Sequence, residues 1–370
     1  MDQRGRKTLP GYAEFRLAVE CCRRSFAAGG DGAAFEPIDG IDWERFLRLV
    51  RFHRVEGFAW DSLFSAEVGI PAAAGASLRA ASSHIAVQSL LARAECGRLF
   101  DRFNEAGIPL LFLKGVTLGS LAYRHPALKS AVDIDLLIDP LDLQKAAHLL
   151  RESGYRLETP RSSTKDDALS TWHRRSKESA WAGDSTPLQV DLHTRVADNP
   201  RLIADIDVHS PRQSVEVASG LTLPTLGPDE LFAYLAVHGA ASVWYRLKWA
   251  SDFAALLSVK DGEKIHRLYT RSQALGAGRA AAQALLLADW LFATLAGNAA
   301  LRGDLLRDRA NRLLLKRALA MISREPSEPT ERALGTLPMH WTPFLFHDRW
   351  DYRLSEIAGQ AGRLLNRLGF

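Results

Sequence analysis

The chain has 370 residues, 47% hydrophobic and 24% charged, the balance of an ordinary globular protein large enough for one big domain or two to three small ones. No apolar run approaches the ~18 residues of a membrane span, and the N-terminus, MDQRGRKTLPGY, has no apolar core of the kind a secretion signal carries. A net charge of +4 suits a polyanionic small ligand and is too slight to argue for nucleic acid; Cys21, Cys22 and Cys96 have neither metal nor disulfide spacing, so reduced thiols and a cytoplasmic setting are expected.

Residues 1–10 are expected to be disordered. Phe15, Ala18, Val19, Cys22 and Phe26 have helical spacing over Tyr12 to Ala27, and Gly29-Gly30-Asp31-Gly32 reads as the loop that ends this helix. Asp42 to His53 and Val55 to Phe64 follow as helices. A long helical stretch runs from Pro71, broken or capped near Gly75, to about Ala106, where Gly107 and Pro109 stop it. Leu110 to Lys114 is a short strand ending at Gly115, Val116 to Tyr123 a short helix, and Ala131 to Ile138 an apolar strand interrupted by Asp133 and Asp135. Pro140 opens a crossover helix to Ser153. Tyr155 to Glu158 reads as a strand, 159–168 as a polar loop, Leu169 to Ala182 as a partly alternating strand, and Leu188 to Val196 as a further strand carrying Asp191. Residues 197–227 are expected to be irregular, with an extended piece near Leu221. Helices are predicted over Asp229–Gly239, Tyr245–Leu257, Glu263–Gln273, Ala277–Leu295, Leu301–Ser323 and Trp350–Leu368. The result is an α+β chain: a helical region over 1–106, an α/β core over 107–227 with a small mixed sheet of four to five strands, and a helical domain over 228–370.

Asp133 and Asp135 are the first candidates for chemistry. Residues i and i+2 of a strand share a face, so two carboxylates are held side by side among residues that favour burial. Their repulsion and desolvation are costly, and a hard divalent cation such as Mg²⁺ is the simplest reason to keep them there. On the same reasoning, relief of that repulsion predicts that Asp135→Asn leaves the stability of the metal-free protein level or raised. Gly115 stands where a helix begins, and free N–H groups at a helix start favour phosphate.

The ordered set Lys114-Gly115, Asp133-Ile134-Asp135, Asp191-Leu192-His193 and Arg246-Leu247-Lys248-Trp249 followed by Asp252 resembles the nucleotidyltransferase fold shared with DNA polymerase β, and within it an uncharacterised bacterial nucleotidyltransferase family. The likeness runs from about His53 to about Leu257. It implies a small mixed nucleotidyltransferase sheet flanked by helices, with Asp133, Asp135 and Asp191 as catalytic residues and ligands of two Mg²⁺ ions, and a nucleoside triphosphate, ATP among the options, as substrate. It also implies nucleotide contacts from Lys114, Gly115, Thr117, His193 and Lys248. Members usually carry Gly-Ser or Gly-Gly where this chain has Gly115-Val116, and Thr117 and Lys114 are the residues at hand to replace that serine. Lys129 stands near the place of a family arginine, keeping the charge without the bidentate fork.

Two positions have a structural reading beside the functional one. His193, on the face of Asp191, either meets substrate or a carboxylate, or is a hydrogen-bonded structural histidine. Lys248 either neutralises a triphosphate or forms a surface i,i+4 pair with Asp252. Trp244 and Trp249 read as core. The implied activity is transfer of a nucleoside monophosphate from a nucleoside triphosphate to a small molecule, peptide or protein, without nucleic acid or membrane. The alternative is a nucleotide-binding regulator or scaffold whose chemistry is impaired.

Overall fold

The computed structural model describes residues 12–26, 40–131, 133–160 and 166–368. The N-terminal ten residues, the glycine loop at 29–32 and most of the polar loop after Thr159 lie outside them. Four helices come first: α1 (Ala13–Arg24), α2 (Trp43–His53), α3 (Glu56–Ser65) and α4 (Ala72–Glu105). The Asp42 carboxylate caps α2 by accepting the Arg45 N–H. Helix α4 runs 34 residues without the expected break at Gly75, because that glycine lies in the first turn and donates its N–H to Pro71. Gly107, with φ +65°, supplies the left-handed residue that ends it.

The sheet has five strands, β1 (Leu110–Phe112), β2 (Asp133–Ile138), β3 (Tyr155–Thr159), β4 (Glu178–Gly183) and β5 (Gln189–His193), in the order β1-β2-β5-β4-β3. Only β2 and β5 run parallel; the other pairs are antiparallel. Helix α5 (Val116–Ala122) follows β1 and α6 (Leu143–Glu152) follows β2. Strand alternation sorts β2 cleanly. Ile134, Leu136 and Ile138 enter one core with α4, α6, Val190 and Leu192, while Leu137 joins Leu111 and Leu113 in the second core, which contains residues of α1–α3 and of the C-terminal helices. Asp133 and Asp135 have the parity of Leu137, so the sheet turns its acidic face toward the helical C-terminal part.

Two readings of the middle of the chain are corrected. The expected strand over Leu169–Ala182 is a helix, α7 (Asp166–Arg175), followed by β4 alone. Leu169 and His173, four apart, are both buried, and the His173 ring bridges Thr194 and Ser179, so packing selects the helical period where the local pattern fits either. The stretch expected to be irregular holds a hairpin: the extended piece expected near Leu221 is β7 (Leu221–Leu226), and it pairs with an unexpected strand, β6 (Arg212–Ala218). Val215, Val217 and Leu223 are its buried side, and Gly220, with φ +75°, makes its turn. Pro224 lies within β7, and a two-stranded ribbon, being all edge, tolerates it.

The remainder is helical: α8 (Pro228–Ala241), α9 (Leu247–Leu257), α10 (Gly262–Ala274), α11 (Arg279–Phe292), α12 (Ala299–Arg307), α13 (Arg309–Ile322), α14 (Leu337–Trp341) and α15 (Trp350–Leu368). The single helix expected over Leu301–Ser323 is divided at Asp308, whose extended backbone and carboxylate, accepting the Ala310 N–H, start α13 afresh. Among the described residues no helix is long and apolar enough to cross a membrane.

The link from α8 to α9 sets the position of Lys248, and it is tightly built. Val243 and Trp244 have φ of +50° and +54°, and the buried Trp244 ring lies where a Cβ on Gly239 would be only 2.4 Å away. Trp244 is core, as expected. Gly239→Ala is expected to destabilise the protein by about 1–3 kcal/mol through overpacking, read as a lowered midpoint in thermal unfolding. An unchanged midpoint would show that the link yields freely.

Candidate active site

The parallel register of β2 and β5 places Asp135 directly beside Asp191, with Asp133 opposite Gln189. Oxygen atoms of Asp133, Asp135 and Asp191 all lie within 4.8 Å of one another. Three residues from two strands thus form one cluster of hard oxygen donors, which fits a divalent cation of the Mg²⁺ kind.

The same face carries its own cations and donors. The Lys114 ammonium, at the end of β1, is 2.5 Å from Asp135 Oδ2 and 3.5 Å from Asp133 Oδ2. His193 Nε2 is 3.2 Å from Asp135 Oδ1 and also 3.2 Å from Glu178 Oε2, which the antiparallel register of β4 sets opposite it. Gln189 donates to Asp191 Oδ1 at 2.7 Å, and Lys177 contacts Glu178.

These contacts split the acids. Lys114 holds Asp133 below the usual carboxylate range. Burial pushes Asp135 upward, yet Lys114 and the His193 hydrogen bond outweigh it and leave its carboxyl well below that range. Glu178 is likewise pushed up by burial and brought down to about 2 by Lys177 and His193. Asp191 has only Gln189 to help it; burial, with Asp135 and Glu178 adding repulsion, pushes it up to about 6. Burial lowers Lys114, but its two aspartates keep it well above an ordinary lysine.

Beside the carboxylates lies a cleft lined by Lys114, Gly115, Lys129, Asp133, His238 and Lys248, with Arg54 and Trp249 at its wall. Gly115 has φ +73° and ψ −120°, a conformation that favours glycine, and stands at the start of α5. Lys248 is 8% exposed, and among the described residues no hydrogen bond or ion pair engages it. Burial, with Lys129 next, pushes it down to about 8. Trp249 is partly buried and packs edge-on to Tyr245 and His238. On α8, the buried atoms Tyr234 Oη and His238 Nε2 have no hydrogen-bond partner among the described residues.

The structure brings Asp133, Asp135, Asp191, Lys114, Gly115, His193 and Lys248 to one region. Thr117 stays apart: it is fully buried and its hydroxyl donates to the Lys114 carbonyl at 3.2 Å. The surface pair that was the other reading for Lys248 is absent among the described residues. Asp252 is buried and serves Lys129, at 3.3 Å, and the Tyr123 hydroxyl, at 2.8 Å. Asp252→Asn is expected to cost about 3 kcal/mol of stability, because the buried Lys129 loses its counter-charge, and Lys129→Met should recover part of the loss in the double mutant. Additive penalties in a thermal double-mutant cycle would show that the pair is uncoupled.

Sequence reasoning missed Arg54 and Glu178. Glu178 had a usable signal, two residues from the alternating Ala180 and Ala182 on a strand next to β5. Arg54 had none, since α2 is far from the strands in sequence.

Residues 39–293, more than half of the chain, match the family described as an uncharacterised nucleotidyltransferase, and the chain belongs to that family. No curated protein matches it.

Proposed function

We propose that this family member is a Mg²⁺-dependent nucleotidyltransferase that moves a nucleoside monophosphate from a nucleoside triphosphate to an acceptor, releasing pyrophosphate. The observation that carries the reading is the meeting of two opposite charge sets: three carboxylates with oxygens within 4.8 Å, and a cleft of lysines opening beside them. Phosphoryl transfer asks chiefly for positioning and charge neutralisation, and this face is arranged for both.

Asp133, Asp135 and Asp191 would hold the metal. Bound there, divalent cations supply charge neutralisation for the phosphates and acidify the attacking hydroxyl. His193, sharing its Nε2 between Asp135 and Glu178, fixes the orientation of the Asp135 carboxylate, whose other oxygen meets Lys114. Gln189 does the same for Asp191. Gly115, without a side chain, leaves the start of α5 open to a phosphate. Lys248, desolvated and without a hydrogen bond or ion pair among the described residues, supplies a counter-charge for an anionic ligand. Thr117 is taken up by backbone carbonyls, so the place of the family serine passes to Lys114 and the cleft lysines.

Incubation of the protein and Mg²⁺ with each labelled nucleoside triphosphate, in the presence of cell extract, tests the reading. The expected result is label transferred from the α-phosphate position to a small molecule, peptide or protein, with pyrophosphate released. The impaired-regulator alternative finds its support in the Gly115-Val116 turn and the inward-facing Thr117. It predicts tight nucleotide binding with no transfer from any of the four nucleotides.

A further inference from the structure

Lys114 sits where a cation's charge is needed. Its side chain is 12% exposed, its ammonium touches Asp135 and reaches Asp133, and both are acids assigned above to metal. An ammonium and a divalent ion cannot share those oxygens without strong repulsion in a site this buried. The cleft that Lys114 shares with His238 offers the ammonium a second place. Tyr234 Oη and His238 Nε2 lie one helical turn apart on α8, buried and without hydrogen bonds, and Lys114 is the strongest charge acting on each of them. Buried polar atoms without partners are rare in folded proteins and call for an explanation. A phenol oxygen and an imidazole nitrogen can both accept from a lysine.

We propose that Lys114 is an internal cation that keeps the metal's place: in the free protein it neutralises Asp135 and Asp133, and it must leave them, toward the Tyr234 and His238 acceptors or the phosphates of a bound nucleotide, before they can ligate a divalent ion. This rests on the metal-dependent reading of the site and adds a consequence to it. Metal alone binds weakly because it must displace the lysine. Metal with nucleotide binds well because the phosphates draw the ammonium away, so the two ligands assist each other by the same factor in either order. A lysine with a merely structural role would give the opposite result on removal, since loss of a structural contact loosens the carboxylates and weakens metal binding.

Mn²⁺ binding measured by electron paramagnetic resonance, without nucleotide, separates the possibilities. Lys114→Met is expected to bind Mn²⁺ at least tenfold more tightly than wild type, and a non-hydrolysable triphosphate should tighten binding in wild type but add little in the variant. Adding Asp135→Asn to the variant should abolish the gain, which locates the ion at the aspartates. Equal or weaker Mn²⁺ binding by Lys114→Met overturns the inference while leaving the metal-dependent reading intact; no Mn²⁺ binding by either protein, with or without nucleotide, overturns both. If Lys114→Met does not fold alone, refolding in Mn²⁺ asks the same question. Recovery of the native fold supports the inference, because the metal replaces the missing cation, and failure to recover overturns it.

Discussion

Asp135→Asn is expected to reduce nucleotidyl transfer by roughly a thousandfold or more, because it removes a charge from the carboxylate cluster while keeping the side chain's shape. The comparison is of turnover in purified wild type and variant at saturating Mg²⁺ and nucleotide, and full activity in the variant would remove Asp135 from the chemistry. Its effect on the metal-free protein reverses the expectation drawn from repulsion alone. Asp135 is not a strained like charge awaiting relief. It is 4% exposed, paired with Lys114 and hydrogen-bonded to His193, and its carboxyl lies well below the usual range. A carboxylate with a depressed pKa adds stability above its unfolded value of about 3.9 and loses it as pH falls through the folded one. At neutral pH that contribution is fully present, so asparagine should lower stability. The loss should fall at or below the low end of the ~3–5 kcal/mol typical of a broken buried pair, because Asp133 still faces Lys114. Above neutral pH the difference between wild type and variant should stay constant.

Lys248→Ala is expected to cut kcat/KM by roughly 10²–10³-fold, with affinity for a non-hydrolysable triphosphate and Mg²⁺ falling by about tenfold or more, since a desolvated counter-charge is lost. The metal-free protein should become no less stable, as a thermal scan reads directly: a buried cation with no ion pair among the described residues is a burden the fold carries for its ligand. The pH dependence has a definite sign. Lys248 is pushed down from 10.5 to about 8, so over that window the folded state binds fewer protons than the unfolded one, and stability from this group rises with pH. Wild type should therefore gain on Lys248→Ala as pH climbs from 8 toward 10.5, while its nucleotide affinity falls as the ammonium is neutralised. Equal nucleotide affinity in the two proteins would place Lys248 outside the site.

Much of the site was readable because it depends on short-range rules. Two aspartates one residue apart on an apolar strand share a face whatever the strand packs against, and Asp191 stands in an alternating segment of the same kind. Gly115 at the end of β1 needed only the strand and helix signals on either side of it. The same rules failed where two periods fitted equally well, as over α7, and they left β6 unrecognised beside the extended piece that is β7.

The sequence by itself determined the helices with strong amphipathic spacing, an α+β core with a small mixed sheet of four to five strands, and the residue types expected on its acidic face, since strand alternation, helix period and capping act over a few residues. Tertiary structure alone decided which charges pair. Lys129 meets Asp252 across more than a hundred residues, Glu178 reaches His193 through the β4–β5 register, Arg54 joins the cleft from α2, and Lys114 takes the two aspartates for itself. A charge's partner is set by packing and desolvation at one point in space, and no local pattern records it.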